Sequence, residues 1–158
     1  MVGQIDDLDL KMLNILLKNA NTPYSEIAKV LKVSIGTIHV RIKKLEALKV
    51  IKYFSVELDH IKIGYDLTAY LGIKLEKGDM YGQVIDALNE IPEIVEVHYI
   101  TGTYSLVAKI ICKNTNHLRD ILHDQIQVIK GIKSTETMIS LEERIKRPLV
   151  MEVLNTSS

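Results

Sequence analysis

Cysteine is nearly absent from this chain: Cys112 is the only one in 158 residues, so no intrachain disulfide can form. It sits in the apolar run LVAKIIC, where a packed strand residue accounts for it better than a nucleophile does. Long apolar runs are missing too, and nothing approaches the roughly 20 residues a bilayer-spanning helix needs. The N-terminal MVGQIDDLDLK has acids where a secretory signal would have basic residues followed by an apolar core. A soluble globular protein of the cytoplasm is therefore expected, with no membrane partner. There is no phosphate-binding glycine loop, no paired catalytic carboxylates and no Ser/His/Asp set with a supporting spacing. The histidines, His39, His60, His98, His117 and His123, show no metal-ligand spacing. Neither an enzyme nor a metal or other cofactor is expected.

Charge of one sign is also lacking, since 20 Lys/Arg balance 20 Asp/Glu. The balance is not local. From Lys29 to Lys52 there are seven Lys/Arg and one acid, Glu46. Such segregation is what attraction to a polyanion requires, and it places that partner, double-stranded DNA, at the N-terminal end.

The basic stretch has helical order. In SIGTIHVRIKKLEAL, Ser34 is a good N-cap and Ile38, Ile42 and Leu45 form one apolar stripe. Upstream, SEIAKVLKV carries a second pattern at Ile27, Ala28 and Leu31, and only Lys32 and Val33 separate it from the cap. So tight a turn makes the helices cross steeply, which is the helix-turn-helix arrangement. Thr37, His39 and Arg41 are the candidates for base edges, Arg41 for guanine. Ser34, Lys43 and Lys44 are the candidates for phosphates. A first helix, capped by Asp6 or Asp7, is expected to run to Ala20 on Leu10, Leu13, Leu16 and Leu17, and Thr22 to cap the second. Lys49 falls where glycine would most easily turn left-handed.

VIKYFSVEL, Val50 to Leu58, reads as a strand linking two domains, and Phe54, Val56 and Leu58 need a cover. Beyond it the order is strand (LTAYLGIKLE), helix (MYGQVIDALNEI), strand (IVEVHYIT), strand (YSLVAKIIC), helix (NTNHLRDILHDQIQVI) and strand (GIKSTETMISLE). That is the ferredoxin-like split βαβ pattern, with both helices on one sheet face. The opposite face is expected to carry Tyr70, His98, Ile100, Val107, Ile111 and Ile139, too apolar to leave in water, so a homodimer is expected. The fold class is α+β: a three-helix, winged-helix-like helix-turn-helix domain (1–49), a strand linker (50–65), a ferredoxin-like βαββαβ domain (66–147) and a tail (148–158).

A helix-turn-helix spanning DLDLKMLNILLKNANTPYSEIAKVLKVSIGTIHVRIKKLEALKVI, then a βαββαβ domain with TGTYSL at its hairpin and STETMISLEE in its last strand, resembles the Lrp/AsnC family of transcription regulators over nearly the whole chain. The resemblance implies dimers formed through the C-terminal domain, assembly into octamers, and an amino acid effector bound between dimers. Ser34, Thr37, Ile38, Arg41, Ile42, Lys43 and Leu45 match the family's recognition-helix pattern. Val40 stands where another basic residue is frequent and Gly36 where a small polar one is. Lys49 and Tyr53 replace the usual glycines at the start of the linker.

The family's hairpin reads glycine, two residues, aspartate; here Gly102 is present, but Ser105 holds the aspartate position. A serine hydroxyl offers an ammonium group only a neutral hydrogen bond, so another effector, another acid or no effector is implied. The candidate polar pocket comprises Gly102, Thr103, Tyr104 and Ser105, with Thr135 and Thr137 reaching across from the last strand; a plain tight hairpin is the alternative. Two other readings compete for the whole chain: an architectural DNA-binding protein without effector, and an enzyme like the siroheme decarboxylases, which resemble the same two-domain architecture.

Overall fold

The computed structural model describes residues 5–151, so the first residues of the N-terminal stretch and most of the expected tail lie outside the described residues. The chain divides into two compact units: the described residues up to Glu57 group with those from Ile145 onward, and Leu58–Arg144 forms the second.

In the first unit, α1 spans Asp7–Lys18, α2 Tyr24–Leu31 and α3 Ile35–Ala47. Asp6 caps α1 in a reciprocal box, its carboxylate accepting from the Asp9 N–H at 2.9 Å while Asp9 accepts from the Asp6 N–H at 3.2 Å. Helix α1 stops at Lys18, short of the expected Ala20. Pro23 and not Thr22 precedes α2; the Thr22 hydroxyl instead donates to the Asn19 carbonyl. The three helices share one core of Met12, Leu13, Leu16, Ile27, Ala28, Ile38, Ile42 and Leu45.

The turns after α2 and α3 have the same construction. Lys32 and Lys49 both have a φ of 55°. Val33 N–H donates to Ala28 O and Lys32 N–H to Lys29 O; Val50 N–H likewise donates to Leu45 O and Lys49 N–H to Glu46 O. These paired bonds are Schellman closures with lysine in the left-handed position glycine would occupy more cheaply. The Lys32 closure is what lets the cap of α3, Ser34, follow two residues later.

Val50–Leu58 does not form the expected strand: no ladder pairs it among the described residues, and Tyr53, Phe54, Val56 and Leu58 are exposed. A strand needs a partner, and one chain supplies none here. The segment from Ile145 takes in the start of the expected tail, 148–158. It groups with the first unit, where the Asn14 amide donates to the Met151 carbonyl at 2.9 Å and accepts from the Met151 N–H at 3.0 Å.

The second unit is a four-stranded antiparallel sheet in the order β2-β3-β1-β4, with β1 Leu67–Leu75, β2 Ile94–Tyr99, β3 Leu106–Cys112 and β4 Ile132–Ile139. Helix α4, Tyr81–Asn89, and helix α5, Thr115–Asp120, cover one face over Ala69, Leu71, Ile73, Leu106, Ala108, Ile110 and Cys112. Burial pushes the Cys112 thiol up, in keeping with a packed strand residue. Asn114 caps α5, accepting from the His117 N–H. The single helix expected over this stretch widens into a π turn at Ile121–Ile126, which puts Ile121 and Ile126, five residues apart, into the same core.

On the opposite face lie Tyr70, Val107, Lys109, Ile111 and Met138. That face is less bare than expected: Ile111 is buried beside His60, Ile63 and Tyr65, and Glu143 reaches Lys109 at 3.6 Å. Ile139 is not on it. The register pairs Ile139 with Ala69, on the helix-covered side.

Candidate nucleic-acid interface

Helix α3 begins at a cap that uses two of the expected contact residues. Ser34 Oγ accepts from the Thr37 N–H at 3.0 Å and shares a 2.8 Å hydrogen bond with Thr37 Oγ1. Ile38, Ile42 and Leu45 face the core. At 100° per residue, Gly36, Val40 and Lys43 therefore lie on the opposite side with His39 on the flank, and all four are exposed, Val40 at 69%. The His39 ring is held edge-on against Tyr24, the first residue of α2, at 4.8 Å between centroids. No pattern within α3 announces this pairing, because Tyr24 belongs to another helix.

Arg41 and Lys44 line one shallow surface depression with Gly36, Thr37 and Val40, but their charged ends are taken by acids. Arg41 lies on the flank of α3 and donates through Nη1 to both Asp6 carboxylate oxygens at 2.7 Å and to Asp9 Oδ1 at 2.8 Å. Lys44 Nζ donates to the other Asp9 oxygen at 2.8 Å. Asp9 is fully buried. Burial works against its charge, but the hydrogen bonds from Lys44 and Arg41 prevail and hold its carboxyl below the ordinary carboxylate value. Asp6 is lowered as well, first by Arg41 and then by the Asp9 N–H, and Arg41 is raised in return. Periodicity placed Arg41 on the polar side of its helix; the acids that meet it are on α1, more than thirty residues away.

In the second unit the hairpin between β2 and β3 closes with Ile100 N–H on Ser105 O, and Gly102 at its tip has a φ of 112°. Tyr104 lies flat over Gly72, where an added Cβ would stand 2.8 Å from the ring. Its hydroxyl donates to Glu136, and that carboxylate holds the phenol above its usual value. Lys74 Nζ stands 5.8 Å from the ring centroid. Ser105 is tied to β1, its N–H donating to Ile73 O at 2.8 Å and its Oγ accepting from the Leu75 N–H at 3.4 Å. Thr135 and Thr137 are not beside this hairpin cluster. The register sets them opposite Ile73 and Leu71, on the helix side, while Glu136 lies opposite Gly72. Gly72 and Glu136 were missed because nothing in the sequence reveals register.

Two family models together match most of the chain: a winged helix-turn-helix DNA-binding domain at residues 5–52 and an Lrp/AsnC ligand binding domain at residues 68–150. The chain belongs to the Lrp/AsnC family. It is 43% identical to the regulatory protein AsnC of Haemophilus influenzae over 145 residues, 92% of this chain and 97% of that one. It is 40% identical to the HTH-type transcriptional regulator FL11 of Pyrococcus furiosus over 142 residues, 90% and 93% of the two chains. The solved structure of Escherichia coli AsnC matches with a TM-score of 0.88 at 36% identity, covering 93% of this chain and 99% of that one.

This Lrp/AsnC protein is thus a DNA-binding transcription regulator with a winged helix-turn-helix domain. These relatives are named as regulators, not enzymes. The described residues contain no group of three or more His, Cys, Asp or Glu placed to hold a metal ion, and no described helix is long and apolar enough to cross a membrane.

Proposed function

We propose that this cytoplasmic regulator reads DNA through the exposed side of α3 as a homodimer. The observation that carries the reading is the row Gly36, Val40 and Lys43, standing opposite the core stripe and exposed among the described residues, with His39 exposed at its edge beside Tyr24. Gly36 permits close approach to the duplex. Thr37 and His39 serve base edges, Val40 suits a thymine methyl group, and Lys43 serves a phosphate. Ser34 reaches the backbone as part of the helix cap. Two such helices about one duplex turn, roughly 34 Å, apart call for an operator of two inverted half-sites. Selection of bound duplexes from a random pool tests this: an inverted repeat is expected, and recovery of unrelated sequences would favour an architectural role.

Support for the dimer comes from apolar surface in both units: Phe54, Val56 and Leu58, then Tyr70, Val107 and Met138 on the sheet. Assembly of dimers into octamers, which the family resemblance implies, belongs to this same proposal. For the effector, Gly102, Thr103, Tyr104 and Ser105 are joined by Glu136, which supplies the carboxylate that Ser105 lacks. The effector class is then a small molecule with an ammonium group, an amino acid foremost. Calorimetry against the common amino acids is expected to give binding that Glu136→Gln abolishes.

A further inference from the structure

Two of the cations that make α3 basic are already spoken for, and one of their acids is the only fully buried charged side chain among the described residues. We propose that Asp9 is a specificity-determining positioning residue: it occupies the charged ends of Arg41 and Lys44 at the edge of the DNA-facing surface and pins α3 to α1, leaving discrimination to Gly36, Thr37, His39, Val40 and Lys43. The proposal deepens the DNA-binding reading and rests on it.

The geometry supports this in three ways. Both Asp9 oxygens are taken, one by Arg41 and one by Lys44, each at 2.8 Å. A second acid, Asp6, holds the same Arg41 nitrogen at 2.7 Å, so a base edge would have to compete with two carboxylates for it. Asp6 and Asp9 are in turn locked to each other's backbone by the cap of α1, so the acids cannot follow the arginine outward. Uniform phosphate attraction tightens binding to every duplex and dilutes preference. Neutralising two lysine or arginine charges on the reading helix therefore favours discrimination over bulk affinity.

The test uses the full chain, a duplex that the wild type selects from a random pool, and a shuffled duplex of the same composition, titrated over a range of salt. For Arg41→Gln the expectation is a several-fold, uniform loss of affinity, with base preference and salt slope unchanged. A direct contact would instead relax preference at one base pair or flatten the slope by about one unit, and either result overturns the proposal. For Asp9→Asn the slope is expected to steepen by about one unit and the shuffled duplex to bind several-fold tighter, because Lys44 is released while Asp6 still holds Arg41. An unchanged slope with unchanged shuffled binding overturns it. If Arg41→Gln does not fold by circular dichroism, the Asp9→Asn/Arg41→Gln double variant replaces it and is expected to discriminate at each base pair of the selected site as Asp9→Asn alone does; preference relaxed at one base pair in the double variant only counts against the proposal. A wild type that selects no sequence would refute the DNA reading itself, a separate outcome.

Discussion

At the residue scale, Asp9 shows how a single carboxylate can serve stability and recognition at once. Its carboxyl, like that of Asp6, lies below the ordinary value of about 3.9 in the folded unit. A depressed acid contributes stability that is complete above the unfolded value and lost as pH falls through the folded one. The DNA-binding unit is therefore expected to hold its melting temperature down to about pH 5 and lose it below about pH 4, with Asp9→Asn flattening that acid limb in calorimetry. Removing Arg41 at neutral pH leaves the buried acid with Lys44 as its one cation, and Arg41→Ala is expected to cost about 3 kcal/mol. The lysines at the two helix ends give the opposite prediction. Lys32 and Lys49 hold φ values of 55°, so Lys32→Gly and Lys49→Gly should each raise stability by about 1 kcal/mol in chemical denaturation. Lys49 could be picked out in the sequence, because it directly follows a long periodic helix. Lys32 could not, since a three-residue turn leaves no pattern to interrupt.

Among the elements, the return of the chain to α1 matters most for the head. Asn14 clasps the backbone of Met151 with two hydrogen bonds, part-buried, across 137 residues of sequence. At about 1 kcal/mol each, their loss in Asn14→Ala should destabilise the first unit by about 2 kcal/mol, read as a lower melting temperature in the full-length protein. A pattern of apolar residues cannot announce such a clasp, because it is made by one amide side chain and a main chain. On the sheet, Gly72 is required by the ring above it. Gly72→Ala is expected to push Tyr104 off the face, break its bond to Glu136 and return the phenol to its ordinary titration range in ultraviolet-monitored pH scans.

For the whole molecule, the exposed apolar residues of the linker and the sheet are too many for a lone chain in water. Light scattering is expected to give the mass of a dimer or a multiple of it, and Val107→Asp on the sheet face to shift that mass downward. The three helices, the four strands and their βαββαβ order were all legible in the sequence, because helical and alternating periodicities are local and each buried face demands its own pattern. Local pattern also marked α3 as the reading helix through its surplus of cations. What only the tertiary structure decided was which of those cations are available, and which strand residues meet. Asp9 reaches Arg41 and Lys44 across the bundle, and a register of β1 against β4 puts Glu136, not Thr135 or Thr137, beside Tyr104. Periodicity specifies the side of an element a residue occupies; it carries no information about the partner that a distant segment brings to that side.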